Sequence, residues 1–589
     1  MLTRLRWHHF TLVLLVALAA FSYAWRMTGD GLEPYYAAAV RSMSGSWRDF
    51  WYGAFDPAGT ISLDKLPGAF WPQALAVRLF GLHVWTIALP QLIEGVLTVV
   101  VLYRAVTRLA GPVAGTLAAL ALVLSPATIA VNRGNVADPL LILLLVLAAG
   151  ATTAALTGGR LRSLLLAAGW VGLAFQVKMA QAWLVLPALA AAYALAAPGP
   201  LRRRLVRLGA AGAVTAAVSL SFAVVVTLIP AGDRPYADGS NHNSVLEQVF
   251  GYNAAGRFDS RNPLLRLANA QPLSFRAGPG WHRLLSGAYG HGTGWLLPLG
   301  LAVAIALVVA RRREDRHDPV RAGAVLWGVW LVTFTVVFSA GQLIQPYYLA
   351  TLAPPIAALL GIGAWWAWRA GPVGRVAAGA GGALTLGYQL WLLPGGGTGR
   401  PGWLTAFALV ALAAALVAAG LAWRYRWPVA VGFAAVLLIP LAACGSVVGA
   451  ALGPFDTPFQ PASATEYTRA ALVRTPDEVR QAMPTLERLR AGAGYLMATS
   501  NGLLAADFSY VSGEEVLPIG GFTGAYPPPS LDRLRSLIAS GQLHLVLTLP
   551  SDDDPRITWV RAHCRALPVR ATSSPLLTPR YYYCQPTDV

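Results

Sequence analysis

The sequence predicts an α-helical polytopic membrane protein of about thirteen transmembrane helices, with a small C-terminal extracytoplasmic α/β domain. Three observations predict it. The chain is 56% hydrophobic and only 12% charged, with a mean hydropathy of +0.53, which is the composition of a membrane protein. Apolar runs long enough to cross a bilayer, roughly 20 residues each, recur from the first residues to about 450. Basic residues stand at the ends of those runs, as the inner loops of a multi-pass protein require. The formal charge of +18 therefore reads as topology, and no nucleic-acid partner is expected.

Taken in order, span one covers about 10–26 and runs outward from Arg4 and Arg6. No small-residue cleavage site precedes Arg26, so the run reads as a retained helix and not as a signal peptide. Residues 27–80 then form a first outer loop. Span two (about 83–103) returns to Arg104 and Arg108, span three (about 112–131) leads out to the short loop NRGNVAD, and span four (about 138–157) comes back to Arg160 and Arg162. Spans five and six, about 163–177 and 180–198, meet outside around Lys178, and Arg202, Arg203, Arg204 and Arg207 lie inside again. Span seven ends near Pro230, and residues 231–290 form a second outer loop. Span eight (about 293–310) returns to RRREDRHDPVR, and span nine leaves through Phe338 to GQLIQPYY. Span ten returns to Arg369 and Arg375, eleven goes out to PGGGTGRPG, twelve returns to Arg424 and Arg426, and thirteen (about 428–450) leaves the rest of the chain outside. The expected location is the plasma membrane, with the N-terminus cytoplasmic.

Domain organisation follows: a transmembrane body over 1–454 and an extracytoplasmic domain over 455–589. In the tail, short apolar runs (YLMAT, EVLPI, LHLVLTL) alternate with helical patterns (NGLLAADFSY, SLDRLRSLIAS), which is an α/β arrangement. Cys564 and Cys584 lie in it, and an oxidising compartment permits a disulfide between them. Cys444, in span thirteen, reads as a small core residue.

Acidic groups are scarce, 27 Asp and Glu against 45 Lys and Arg, so five in the first outer loop call for a reason. Asp30 and Glu33 follow span one directly, before YYAAAVRSM, which reads as a short amphipathic helix lying on the membrane. A carboxylate there suits general-base work on an acceptor hydroxyl or amine; the alternative is that Asp30 caps the helix. In DKLPGAFW, Lys65 is a compact cation suited to phosphate, or else a surface partner of Asp64. The loop after span three holds Asn132, Arg133, Asn135 and Asp138. Arg133 and Lys178 both break the positive-inside pattern, which suits cations kept outside to hold an anion. In the second outer loop, His242, Glu247, Arg257, Asp259, His282 and Arg283 are substrate contacts or solvated surface. No zinc spacing, phosphate loop, nucleophile elbow or dinucleotide fingerprint is present.

The pieces EPYYAAAVRSMSGSW, FDPAGTISLDKLPGAFW, SPATIAVNRGNVADPLL, FQVKMAQAWLVLP, QPYYLATLAPPIAALLGIG and IGGFTGAYPPPSLDRLRSLIASGQLHLVL extend over nearly the whole chain. Together they resemble the C-type (GT-C) glycosyltransferase superfamily, in the bacterial branch related to protein O-mannosyltransferases and the lipid A aminoarabinose transferase. The resemblance implies transfer of a sugar from a polyprenyl-phosphate carrier to an acceptor outside the cytoplasm, by an inverting displacement with an acidic general base. It implies that Glu33, with Asp30 as its neighbour, is base or acceptor binder, and that Asp138 is a second acidic residue of the site. Lys65 matches the lysine facing the carrier phosphate, with Asp64 beside it, although Leu66-Pro67 stands where relatives carry Pro-Pro. Tyr347 and Tyr348 match a Pro-Tyr-Tyr motif that has Gln345 here where relatives often carry His. Arg133, Asn135 and Lys178 complete the expected substrate contacts. The donor already carries a leaving group, so no cofactor is required, though the carboxylates leave room for a divalent metal. The acceptor class stays open among protein, glycan and lipid, and the bilayer itself is a partner. Two rivals differ in class. A flippase for lipid-linked sugars would favour inverted repeats and mid-membrane charges, whereas here the ionisable groups cluster at one face and no internal repeat is evident. The other rival is a non-catalytic scaffold whose outer α/β domain binds cell-wall components.

Overall fold

A computed structural model describes residues 7–27, 31–263, 265, 277–395, 399–466, 476–570 and 579–589. All thirteen expected spans fall on helices. Among the described residues, nine are long and apolar enough to cross a membrane: Trp7–Ala24, Val84–Ala110, Asp138–Gly158, Leu201–Thr227, Gly287–Ala310, Pro319–Ala340, Pro346–Arg369, Trp403–Leu421 and Trp427–Gly449. The third and sixth correspond to the shorter apolar helices Pro112–Val123 and Ala180–Ala196, the fifth to Leu161–Lys178 and the eleventh to Pro372–Leu392. The chain is thus a multi-pass membrane protein. Proline opens many of these helices, as at Pro112, Pro139, Pro319 and Pro372. Its fixed φ suits the first turn, and no intrahelical donor is lost there. Pro126 does the same within span three, so that span breaks at Leu124–Ser125 and restarts as Pro126–Val131.

The chain divides into two compact units. The first comprises 1–30, 91–220 and 274–465, and the second 31–90, 221–273 and 466–589. In unit one, glycines let helices approach closely, as small residues do between membrane helices. A Cβ on Gly361 would press on the Ala114 carbonyl and Ala118, and one on Gly379 would lie 2.8 Å from the Ala419 backbone. Large apolar residues such as Val410, Val417 and Phe407 of the helix Trp403–Leu421 point outward, as a face toward acyl chains requires.

Unit two carries a five-stranded mixed sheet in the order β2-β1-β3-β5-β4, with β1 Met497–Thr499, β2 Val516–Pro518, β3 Leu545–Thr548, β4 Arg565–Arg570 and β5 Arg580–Tyr583. β1 pairs parallel with β2 and β3, while β5 runs antiparallel to β3 and β4. The buried set Ala498, Leu517, Leu534, Ile538, Val546, Ile557 and Val560 forms the core under the sheet. Cys564 and Cys584 are joined in a disulfide across 20 residues. Removing it by Cys564→Ala and Cys584→Ala is expected to cost the domain about 3 kcal/mol, from the loop entropy released to the unfolded chain. A lowered unfolding midpoint of the double variant, matched by wild type under reductant, checks this.

The helix after Glu33 corrects one expectation. Pro34–Gly45 does not lie with a polar face to solvent, since nine of its twelve residues are buried. The tail helix Gly502–Ser512 packs on it, and so does Trp71–Phe80. Arg41 fixes the first of these contacts by donating to the carbonyls of Tyr510 (2.6 Å), Val511 (2.9 Å) and Ser512 (3.1 Å), a cation closing a helix C-terminus.

Candidate active site

The first candidate lies within unit two. Glu33 is the N-cap of Pro34–Gly45, its Oε2 accepting the Tyr36 backbone N–H at 2.7 Å. The cap that the sequence offered to Asp30 thus belongs to Glu33; Asp30 itself lies outside the described residues. Burial pushes the Glu33 carboxyl up to about 8, against the pull of the Tyr36 and Tyr35 backbone N–H groups; Asp64 adds to the rise and Lys65 opposes it. Asp64 and Lys65 do form a pair, Nζ to Oδ2 at 3.1 Å, but it is buried and not superficial (1% and 9% exposed). The Lys65 ammonium lies 5.0 Å from the Tyr36 ring centroid, and that ring packs on Phe70 at 4.7 Å. Asp64 Oδ1, also buried, has no hydrogen-bond partner among the described residues.

Local backbone holds this group in place. Asp56 accepts from the N–H groups of Thr60 and Ile61 and turns the chain, and Ala54 and Ser62 bridge across that turn. The second long loop clamps the segment from the other side. The Ser62 N–H donates to the Tyr236 carbonyl, the Gln248 amide to Leu63 O (2.7 Å) and Asp238 O (2.8 Å), and the Asn253 amide to Asp64 O (2.7 Å). Two of the five acids in the first loop therefore serve the fold: Asp56 in its turn, and Asp49 beside its own cap Ser46.

Asp238 is a carboxylate the sequence did not single out, because Asp-Gly in a polar stretch reads as an ordinary turn. It is buried, and it accepts from the Tyr35 hydroxyl (3.0 Å), the Phe522 N–H (2.9 Å) and the Gly239 N–H (2.8 Å). Burial first, then the nearby Asp64, pushes it up to about 7 against those donors. Of the other second-loop candidates, Arg257 lies over the Tyr252 ring at 5.1 Å and donates to Asn253. His242 pairs with Glu247, and Asp259 with Arg261, at the surface. Arg283, in unit one, is buried and donates to the Phe338 and Gly341 carbonyls.

The second candidate lies within unit one. Asp138 opens the span-four helix, and both of its oxygens accept from the Lys178 ammonium, at 2.7 and 2.6 Å. Lys178 is the last residue of its helix, which ends because Met179 takes a φ of 45°. Its ammonium sits 3.9 Å from the Tyr348 centroid and 4.9 Å from that of Tyr347, a cation–π cage. Arg133 is buried and donates to the Ser22 carbonyl (2.8 Å) and the Arg26 carbonyl (3.0 Å), and Asn135 is buried in the same loop. Among the described residues no group of three His, Cys, Asp or Glu side chains is placed to hold a metal ion.

Comparison with known proteins adds the following. The family described as "Dolichyl-phosphate-mannose-protein mannosyltransferase" matches residues 64–227, and "Putative mannosyltransferase YkcB-like, C-terminal" matches residues 483–563. The chain is similar to two proteins of Bacillus subtilis (strain 168). It is 29% identical to "Putative mannosyltransferase YkcB", over 91% of this chain and 88% of that one, and 27% identical to "Putative mannosyltransferase YycA", over 93% of each. Among solved structures, ArnT from Cupriavidus metallidurans in the apo state matches 99% of this chain and 98% of its own, with a TM-score of 0.57 at 16% identity. The same protein bound to undecaprenyl phosphate matches with a TM-score of 0.53.

Proposed function

We propose, for a chain that is a membrane glycosyltransferase of the C-type superfamily, the transfer of a sugar from a polyprenyl-phosphate carrier to an acceptor on the extracytoplasmic side. The observation that carries the reading is the buried group Glu33, Asp64 and Lys65. The carrier fits the lipid phosphate that ArnT, of the same fold, binds in one of its structures.

An acceptor O–H attacks the anomeric carbon, the bond from that carbon to the phosphate oxygen breaks, and configuration inverts. Glu33 takes the acceptor proton, and polyprenyl phosphate leaves with the electron pair. The phosphodiester becomes a monoester, so negative charge grows on the phosphate as the bond breaks. A buried ammonium at Lys65 stabilises that change more than it stabilises the bound donor, which is the condition for raising the rate. A carboxyl poised near the working pH is an effective proton acceptor. Asp138, held by Lys178, is the second carboxylate we assign to the reaction. Arg133, Asn135, Tyr347 and Tyr348 are assigned to substrate binding.

The test is transfer of radiolabel from a polyprenyl-phosphate sugar by the full chain in vesicles. Lys65→Gln is expected to slow turnover about a hundredfold, as loss of one preorganised charge-stabilising donor does elsewhere. Because it also leaves the buried Asp64 carboxylate without its cation, the unfolding midpoint is measured beside the rate, and the rate is read on folded protein. Movement of the labelled donor across the bilayer without breakage of its sugar–phosphate bond would establish the flippase reading instead.

A further inference from the structure

The tail loop Ile519–Tyr526 is built into the wall of the carboxylate group in unit two. The Phe522 N–H bonds Asp238, and the Phe522 ring lies 4.5 Å from that of Tyr35. Tyr526 packs edge-on against Tyr252 at 5.9 Å. The approach is close enough that a Cβ on Gly521, at φ 70°, would fall on the Asp238 carboxylate. Glycine is the residue that tolerates both conditions. Arg556 fixes the loop from behind, donating to the carbonyls of Tyr526 (2.9 Å), Pro527 (2.7 Å) and Pro529 (2.9 Å) while paired with Asp554.

Hydrogen-bonding capacity is left over in this wall. Among the described residues, Asp64 Oδ1, the Tyr252 hydroxyl and the Thr523 hydroxyl are buried atoms without a hydrogen-bond partner, and Asp64 and Tyr252 are 1% and 5% exposed as residues. Buried polar atoms normally find partners. Phe522 and Thr523 remain partly accessible to solvent.

We propose that the loop Ile519–Tyr526, with Asp64, Tyr252 and Asp238, forms the acceptor subsite, and that the acceptor is a neutral saccharide. The inference rests on the glycosyltransferase reading above. Its chemistry favours a polyol. Aromatic rings offer faces for C–H surfaces, while carboxylate oxygens accept hydroxyl protons and the tyrosine and threonine hydroxyls serve either way. A peptide backbone offers one fixed donor and one fixed acceptor per amide, whereas each saccharide hydroxyl can donate to a carboxylate oxygen and accept from a tyrosine or threonine hydroxyl. An anionic acceptor would place its charge beside acidic groups that burial already holds against ionisation.

Steady-state transfer by the full chain in vesicles, with a neutral oligosaccharide and a Ser/Thr-containing peptide as alternative acceptors, tests this. The oligosaccharide is expected to accept sugar and the peptide not. Phe522→Ala keeps the backbone N–H on Asp238 and removes only the ring, and is expected to raise the oligosaccharide KM about tenfold with a smaller change in kcat and in donor KM. Tyr252→Phe removes a single oxygen with little risk to folding and is expected to raise the same KM about fivefold. Transfer to the peptide alone, or an oligosaccharide KM unmoved in both variants, overturns the acceptor assignment and leaves the donor chemistry standing. A wild-type chain that consumes no donor with either acceptor overturns both.

Discussion

Replacing Glu33 by Gln is expected to slow sugar transfer by about 10²- to 10⁴-fold, the range for removal of a general acid–base group. The substitution separates the cap that Glu33 forms from the base role proposed for it. As N-cap, Glu33 needs only an oxygen to accept the Tyr36 N–H, and the Gln carbonyl supplies one. As base it needs a carboxylate, which Gln lacks. Glu33→Ala would lose both and confound them, since a missing cap alone costs about 1 kcal/mol. The pH profile gives an independent check. Burial holds the Glu33 carboxyl up to about 8, so the basic form is the minority at neutral pH. Wild-type kcat/KM should therefore climb with pH and level off above about 8, and Glu33→Gln should lose that limb along with the rate. A Glu33→Gln protein that folds and keeps its rate would leave Glu33 as a helix cap and shift the base to Asp30.

That ambiguity shows what one chain's sequence can carry. The spans were legible because each needs only a local apolar run and a basic end, and both are written contiguously; even the short fifth and sixth spans fell on helices. The first three strands of the tail were legible for the same reason. β4 and β5 were not: RALPVR carries Arg and Pro, and RYYY opens on Arg and shows no apolar–polar alternation. Their pairing with each other and with β3 makes them strands. Pro34–Gly45 reads as a surface helix because nothing near it in the chain announces the tail helix that covers it, some 470 residues later. The site divides along the same line. Glu33, Lys65 and Asp138 were visible as charges out of place in an apolar chain. Asp238 was not, because its three donors come from Tyr35, Gly239 and Phe522, two of them far away in sequence.

The pair Asp138–Lys178 carries the second large effect. Both side chains are buried, and the ammonium meets both carboxylate oxygens. Asp138→Ala strands a buried cation, which costs about 3–5 kcal/mol, so the variant is expected to unfold at lower temperature in detergent as well as lose transfer. Activity loss alone therefore says nothing about chemistry at Asp138. The double variant Asp138→Leu, Lys178→Met resolves it by removing both charges and filling the space with apolar atoms, a replacement that often restores or raises stability. The Tyr347 and Tyr348 rings, which now hold the ammonium by its charge, can pack against the methionine thioether. We expect the double variant to recover the unfolding midpoint and to stay inactive, because the charged pair proposed to take part in transfer is missing however well the helices pack. Recovery of transfer together with stability would reduce the pair to a structural clasp between the ends of two membrane helices.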